Sequence, residues 1–169
     1  MVWYALLIVG VALERLAELV VSKRNLAWSR AHGGGEFGKS HYPVMVVLHT
    51  GLLAGCLVEA MALHRPFIRA LGSLMLAIVL AAQGLRWWCI ATLGRQWNTR
   101  VVVVSGAARV ASGPYRFLSH RSYVAVVAEG AALPLVHTAW VTALVFSVLN
   151  AALLRTRIQV EDAALASLT

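Results

Sequence analysis

What most constrains this chain is a series of apolar runs about as long as a bilayer is thick, separated by short segments that hold most of its arginines and lysines. A span needs about 20 mostly apolar residues. On that criterion the candidates are Val2–Val21, Tyr42–Leu63, Phe67–Ile90, Tyr123–Leu135 and Trp140–Leu154. Between Ser122 and Leu154 the only acidic or basic residues are Glu129 and His137. A single helix of that length would be roughly 50 Å long at ~1.5 Å per residue, against a hydrocarbon core of ~30 Å. A hairpin turning near Pro134–His137 removes the excess and gives five helices, the last two short. Composition agrees: 60% of residues are hydrophobic and 13% charged, with a mean hydropathy of +0.73. The expected fold is therefore all-α, a polytopic integral membrane bundle in one domain. Its parts are three helices over 1–91, a cytoplasmic loop over 92–121 that holds the site, and a helical hairpin with a C-terminal segment over 122–169.

Orientation follows from the basic residues. With the N-terminus outside and the C-terminus cytoplasmic, Lys23, Arg24, Arg30, Lys39, Arg95, Arg100, Arg109, Arg116, Arg121, Arg155 and Arg157 face the cytoplasm, and only Arg65 and Arg69 lie outside. Trp87 and Trp88 beside Arg86, with Trp97 beyond, suit an aromatic belt or helix packing. The net charge of +8 is mostly this topology signal, matched to anionic lipid headgroups. A basic stripe interleaved with exposed aromatics is absent, so no nucleic-acid partner is expected. Cys56 and Cys89 sit inside apolar runs without C-x-x-C spacing and read as small buried hydrophobes. The first apolar run lacks a basic leader and a small-residue cleavage site, so it is expected to remain as a helix.

Ionisable groups inside spans normally face the bundle interior or a polar cavity. Glu14, Arg15 and Glu18 lie in the first span, with Asn25 two turns beyond Glu18. Arg15 and Glu18 either pair at i,i+3 or line a binding cavity, and Glu14 has no evident partner. His41, Met45 and His49 recur every four residues on one helix face. Imidazole and thioether can hold copper, but a third strong ligand is missing nearby, so substrate orientation or a structural role is favoured and no metal is expected. Gly33-Gly34-Gly35 and Glu36 read as a flexible loop. On the last helix Asn150, Leu154, Arg157 and Glu161 form one stripe that turns from apolar to polar. Taken alone, Arg157 and Glu161 would be a surface pair worth ~0.3–0.5 kcal/mol.

The segment from Ser105 to Tyr123 changes that balance. Ser112-Gly113-Pro114-Tyr115 reads as a tight turn, because glycine permits positive φ and proline presets φ at the next step of the chain. His120 and Tyr123, three apart, share a face if the stretch is helical. Such a turn can bring backbone amides, an imidazole and a phenol to one pocket at the membrane surface. An amphipathic loop on lipid headgroups would account for the arginines but not for this spacing.

Gly113-Pro114-Tyr115, then Ser119-His120-Arg121-Ser122-Tyr123, then Arg157-x-x-x-Glu161 resemble the motifs of the isoprenylcysteine carboxyl methyltransferase family. That family carries Gly-x-Tyr, Arg-His-Pro-x-Tyr and, after a helical hairpin, Arg-x-x-x-Glu. The match covers about Trp97 to Asp162. Trp97-Asn98-Thr99-Arg100, the Arg15, Glu18 and Asn25 set, and Glu36, His41-Tyr42 and His49 are similar to a short bacterial branch that O-methylates long-chain alkylpyrones. The resemblance implies an S-adenosylmethionine pocket formed by Ala107, Ala108, Arg109, Val110, Tyr115, His120, Arg121, Ser122, Tyr123 and Glu161. It also implies that Arg157 faces the acceptor, with His120 the candidate base, and that the acceptor is a hydrophobic small molecule drawn from membrane lipid. Arg15, Glu18, His41 and His49 are then expected to surround the acceptor's polar ring. Here Ser119-His120-Arg121 replaces the family's Arg-His-Pro, which leaves the turn less fixed. The chain also lacks the longer C-terminal tail of the prenylcysteine enzymes, favouring a lipid-tailed enol or phenol over an isoprenylcysteine carboxylate. The competing classes are a small proton-coupled exporter, motivated by Glu14, and a lipid-binding assembly protein. The elaborate polar loop argues against the exporter.

Overall fold

The structure is a computed structural model that describes residues 2–104, 112–113 and 121–166. Helix α1 (Val2–Ala31) is followed by strand β1 (Gly34–Phe37), α2 (His41–Ala62), α3 (Arg69–Leu93), a short 3-10 turn (Gly94–Gln96), β2 (Val101–Val104), α4 (Arg121–Leu135) and α5 (Trp140–Ala166). The chain is an all-helical membrane bundle with one addition, an antiparallel ribbon in which Gly34 pairs with Val104 and Phe37 with Val101. Segments α2, Arg69–Gln96 and Trp140–Ala164 are long and apolar enough to cross a bilayer, and Tyr123–Leu135 is a shorter apolar helix.

The anticipated segments recur as helices with shifted ends, although α1 is not one of the three long and apolar enough to cross a bilayer, and α5, expected to be short, continues twelve residues past Leu154. The first helix continues ten residues past Val21 because its polar last turns dock on the loop after α3. Asn25 Nδ2 donates to the carbonyls of Gly94 (2.9 Å) and Trp97 (2.6 Å), and the Ser22 hydroxyl lies 2.8 Å from that of Thr99. At ~1.5 Å per residue, α1 is about 45 Å long and projects beyond the hydrocarbon core. The hairpin turns directly after Pro134: Ala139 N–H bonds to the Pro134 carbonyl at 3.0 Å. Gly33 to Glu36, expected to be a flexible loop, are instead ordered by strand pairing. Trp87 and Trp88 are largely exposed, as a belt requires, whereas Trp97 is buried as a packing residue.

At the hairpin end of the bundle, Tyr4, Ile8, Val11, Leu52, Cys56, Ala60, Val79, Leu133, Val136 and Phe146 form the apolar core. Gly130 lets α4 approach α5, since a Cβ there would strike the Phe146 ring. Glu59 of α2 accepts the backbone N–H groups of Val141 (3.2 Å) and Thr142 (2.7 Å), and the Thr142 hydroxyl at 2.8 Å. A carboxylate thereby satisfies the bare N-terminus of α5 inside a medium that offers no water.

Deeper toward the ribbon end, three buried charges and the half-buried Arg15 close a ring. Arg15 bonds Glu18 and Glu129; Arg86 reaches Glu18 (3.3 Å) and Glu129 (3.2 Å). The ring ties α1 to α3 and α4, and it is electrically neutral. Arg15 and Glu18 do pair, but as half of a quartet. Glu14, which has no partner evident in sequence, accepts hydrogen bonds from Gln83 and the Trp87 indole.

Removing one member of a buried pair strands its partner's charge, a loss of about 3–5 kcal/mol in known cases. Glu129→Ala should therefore lower the stability of the detergent-solubilised protein by about that amount. A denaturation curve displaced by less than about 1 kcal/mol would show that the ring does not hold the bundle together.

Candidate functional site

All elements relevant to the anticipated site meet at the ribbon end. Glu36 on β1 receives Arg100 at 2.6 Å and Arg30 at 2.9 Å. Burial pushes the Glu36 carboxyl up, but these two hydrogen-bonded guanidinium groups outweigh burial and hold it below the usual carboxylate range. Arg100 also lies over the Tyr42 ring, 4.1 Å from its centroid. Glu36 thus clamps the ribbon to α1 and orients Arg100 against the first turn of α2. Gly38 (φ +62°) leads into that turn, and a side chain there would collide with the His41 ring.

Beneath the ribbon is a small cleft lined by Glu36, His41, Tyr42, Met45, Arg100 and Arg157. The His41 Nε2 atom is buried without a hydrogen-bond partner among the described residues. Arg157 of α5 donates to the Thr99 carbonyl at 2.8 Å and contacts the Met45 sulfur at 2.7 Å. Its guanidinium carbon is 5.4 Å from the Tyr123 ring centroid. Among the described residues no carboxylate lies within ion-pair distance of it. A thioether, a carbonyl and an aromatic face hold this cation in place without neutralising it.

On the other side of Tyr123 is Glu161. The Tyr123 hydroxyl donates to Glu161 Oε2 at 2.6 Å, so Glu161 turns to the start of α4 and does not pair with Arg157 one turn away. Gly113 has φ +55°, and a Cβ at that position would meet the Thr92 hydroxyl of α3 at 2.8 Å. At Gly113 the backbone therefore comes close to the end of α3, while Pro114 and Tyr115, the rest of the turn read from sequence, lie outside the described residues.

The structure brings His41 and Arg157 into one cleft and joins Tyr123 to Glu161 beside it. Arg15 and Glu18 lie in the charged ring. His49 hydrogen-bonds the Met45 carbonyl at 2.9 Å and meets the Phe146 ring edge-on. Arg121 and Ser122 open α4, while Ala107, Ala108, Arg109, Val110, Tyr115 and His120 lie outside the described residues. Sequence reasoning quoted Arg100, Tyr42 and Glu36 within motifs but assigned none of them a place in the site, and missed the clamp that joins them. Tyr42 follows His41 directly and Arg100 closes Trp97-Asn98-Thr99-Arg100, but only the ribbon pairing across more than sixty residues joins them. Among the described residues no three His, Cys, Asp or Glu side chains gather as a metal site would require.

The apolar helices and the cleft of charged and aromatic side chains at one end define an integral membrane protein with a polar site. The family model for the isoprenylcysteine carboxyl methyltransferase (ICMT) family matches residues 75–167, more than half the chain, which belongs to that family and is a membrane methyltransferase. A Bacillus subtilis (strain 168) chain described as uncharacterized protein YpbQ is 37% identical over 161 residues, 95% of each chain. No solved structure matches.

The Glu36 clamp has a definite pH signature. Because its folded pKa is depressed, the stabilisation is complete above the free carboxylate value of about 4.3 and is lost as pH falls through the lower folded value. Amide exchange in Val101–Val104, corrected for intrinsic rates, should be flat from neutral pH down to about 5 and rise below about 4. Glu36→Gln should raise it at neutral pH; equal protection in both proteins would detach the clamp from the ribbon.

Proposed function

We propose that the protein is an S-adenosylmethionine-dependent O-methyltransferase whose acceptor is a lipid-tailed, acidic enol or phenol such as a long-chain alkylpyrone. The observation that carries the reading is Arg157, a cation without a carboxylate partner among the described residues, set between the Tyr123–Glu161 pair and the cleft under the ribbon. The family's methyltransferase activity supports the reaction class.

The residues on the cofactor side suit S-adenosylmethionine: Glu161 presents a carboxylate to an amino group or ribose hydroxyls, with the Tyr123 hydroxyl holding its orientation. Ala107 to Val110, Tyr115, His120, Arg121 and Ser122 would complete that pocket. The bound cofactor supplies an electrophilic methyl group on a sulfonium. In-line transfer needs no covalent enzyme intermediate, so the protein contributes alignment and the exclusion of water. Arg157 would hold the acceptor oxygen as an anion, through a charge-assisted bond strengthened by the low local dielectric. An acceptor already ionised requires no strong base, and His120 is the candidate where a proton must still leave. His41 and Tyr42 would border the acceptor ring.

The apolar tail has its own route. An open groove of about 470 Å³ lies along α1, lined by Leu19, Leu26 and Ala27 together with Ser22, Lys23, Arg30, Tyr42 and Arg100. Tyr42 and Arg100 also line the Arg157 cleft. A head bound at Arg157 would thus lie next to the apolar side chains Leu19, Leu26 and Ala27, along which the first part of an alkyl chain could rest. In this reading the ribbon end faces the cytoplasm, where the cofactor is made available, and the N-terminus lies outside.

Titration with S-adenosylhomocysteine tests the cofactor directly. Glu161→Gln should weaken its binding by ~1.5–3 kcal/mol, the range for a hydrogen bond to a charged group, while Arg157→Ala should leave it intact and depress turnover. Unchanged affinity in the first variant would remove Glu161 from the pocket; equal loss of affinity and turnover in the second would undo the division of labour. Labelled S-adenosylmethionine offered with a long-chain alkylpyrone or alkylphenol should label these in preference to a farnesylated cysteine analogue. Labelling of the cysteine alone would overturn the acceptor class.

A further inference from the structure

Leu19, Ser22, Lys23, Leu26, Ala27 and Arg30 recur every three or four positions, so a single face of α1 forms one wall of the open groove. Tyr42 and Arg100 complete its lining. Three cations therefore border one groove. Arg30 and Arg100 share the Glu36 carboxylate, which cancels one charge of the three. Lys23 is exposed, and among the described residues no carboxylate lies within ion-pair distance of it. Arg100 directs an N–H to Glu36 at 2.6 Å, and a guanidinium carries five such donors. The Ser22 hydroxyl accepts the Thr99 N–H at 3.0 Å, which brings the chain leading into Arg100 alongside α1 next to Lys23.

The same face is apolar below the cations. Leu19 lies one turn deeper than Lys23, and Leu16 and Val9 continue the line at 58% and 50% exposed. A soluble phosphate would meet the cations and leave these side chains bare. A neutral lipid would cover the side chains and leave two positive charges without an anion. A phosphodiester carrying acyl chains is the chemistry that uses both, and its charge complements the groove.

We propose that the groove along α1 binds one anionic phospholipid, with its phosphodiester at Lys23 and Arg100 and an acyl chain laid over Leu19 and Leu16. This goes beyond the methyltransferase reading and does not depend on it. An acceptor's chain would rest on the same apolar side chains, so the phospholipid is the occupant of the acceptor-free protein and gives way when an acceptor enters.

Lys23 and Arg24 separate a built site from general attraction to an anionic surface. Both are exposed cations at nearly the same depth, about 100° apart around α1, yet only Lys23 lines the groove. General attraction weighs each charge alike, at about fivefold in affinity. The full-length protein in detergent, without acceptor, is titrated with dioleoylphosphatidylglycerol or dioleoylphosphatidylcholine, and retained lipid is counted by native mass spectrometry. One phosphatidylglycerol should be held at least about tenfold more tightly than phosphatidylcholine, as expected from two uncancelled charges. Lys23→Gln should weaken it about fivefold and Arg24→Gln by less than about twofold. Equal losses in the two variants overturn the site, and so, in the wild type alone, does equal retention of the two lipids. Glycerol 3-phosphate should leave the bound lipid in place; its displacement at millimolar concentration would make the groove a site for a soluble anion and overturn the phospholipid.

Discussion

The closed ring of Arg15, Glu18, Arg86 and Glu129 is the constraint on which the rest of the bundle depends. Lipid supplies no hydrophobic drive for one apolar helix to seek another, so helix α1 needs a specific reason to stay. Four charges arranged head to tail provide it, because separating α1 from α3 and α4 would expose each of them to hydrocarbon. The same demand explains Glu14, whose carboxylate is satisfied by Gln83 and Trp87. With α1 fixed at this depth, its last turns are carried clear of the membrane, where Ser22 and Asn25 hold the loop after α3. The ribbon and its cleft are set by that placement.

The two ends of the molecule solve the problem of unsatisfied backbone differently. At the hairpin end a buried carboxylate, Glu59, caps α5 and Arg65 balances its charge at 2.8 Å. At the ribbon end the helix termini are left to loops and side chains, and the short strands cover what would otherwise be open. Glu36 is the counterpart of Glu59 there: one carboxylate fixes Arg30 and Arg100. The difference is that Arg157 receives no such partner among the described residues. Its positive charge is steadied by neutral groups, an arrangement better suited to receiving an anion than to stability.

Much of this was legible in sequence because the bilayer sets a length scale. Three segments, α2, α3 and α4, fall within a few residues of their expected ends where the hydropathy change is sharp, and the hairpin at Pro134 followed from length alone, whereas α5 continues twelve residues past Leu154. The end of α1 was misread because its last turns are polar, and only the partners Gly94, Trp97 and Thr99 reveal that they continue as helix. The ribbon was hidden for a related reason. Gly34-Gly35 has little strand preference, and its pairing with Val103-Val104 is contact at long range that no local pattern encodes. Arg157 and Glu161 illustrate the limit of spacing arguments: four residues apart they are geometrically able to pair, yet Tyr123 takes Glu161 and leaves the guanidinium to Thr99 and Met45.

Placing this cation at the junction of two solvents has a further consequence. An anionic head on a long apolar tail is poorly held by either phase alone, because water rejects the chain and hydrocarbon rejects the charge. The cleft beneath the ribbon and the groove along α1 share Tyr42 and Arg100, so in the proposed reaction a molecule of this kind would find a cation and the apolar side chains of Leu19, Leu26 and Ala27 side by side. A neutral head would gain little from Arg157, and a short acceptor would leave the groove along α1 unfilled. Selectivity for amphiphiles thus arises in the proposed reaction from the position of one arginine relative to the membrane surface, before any contact with the ring itself.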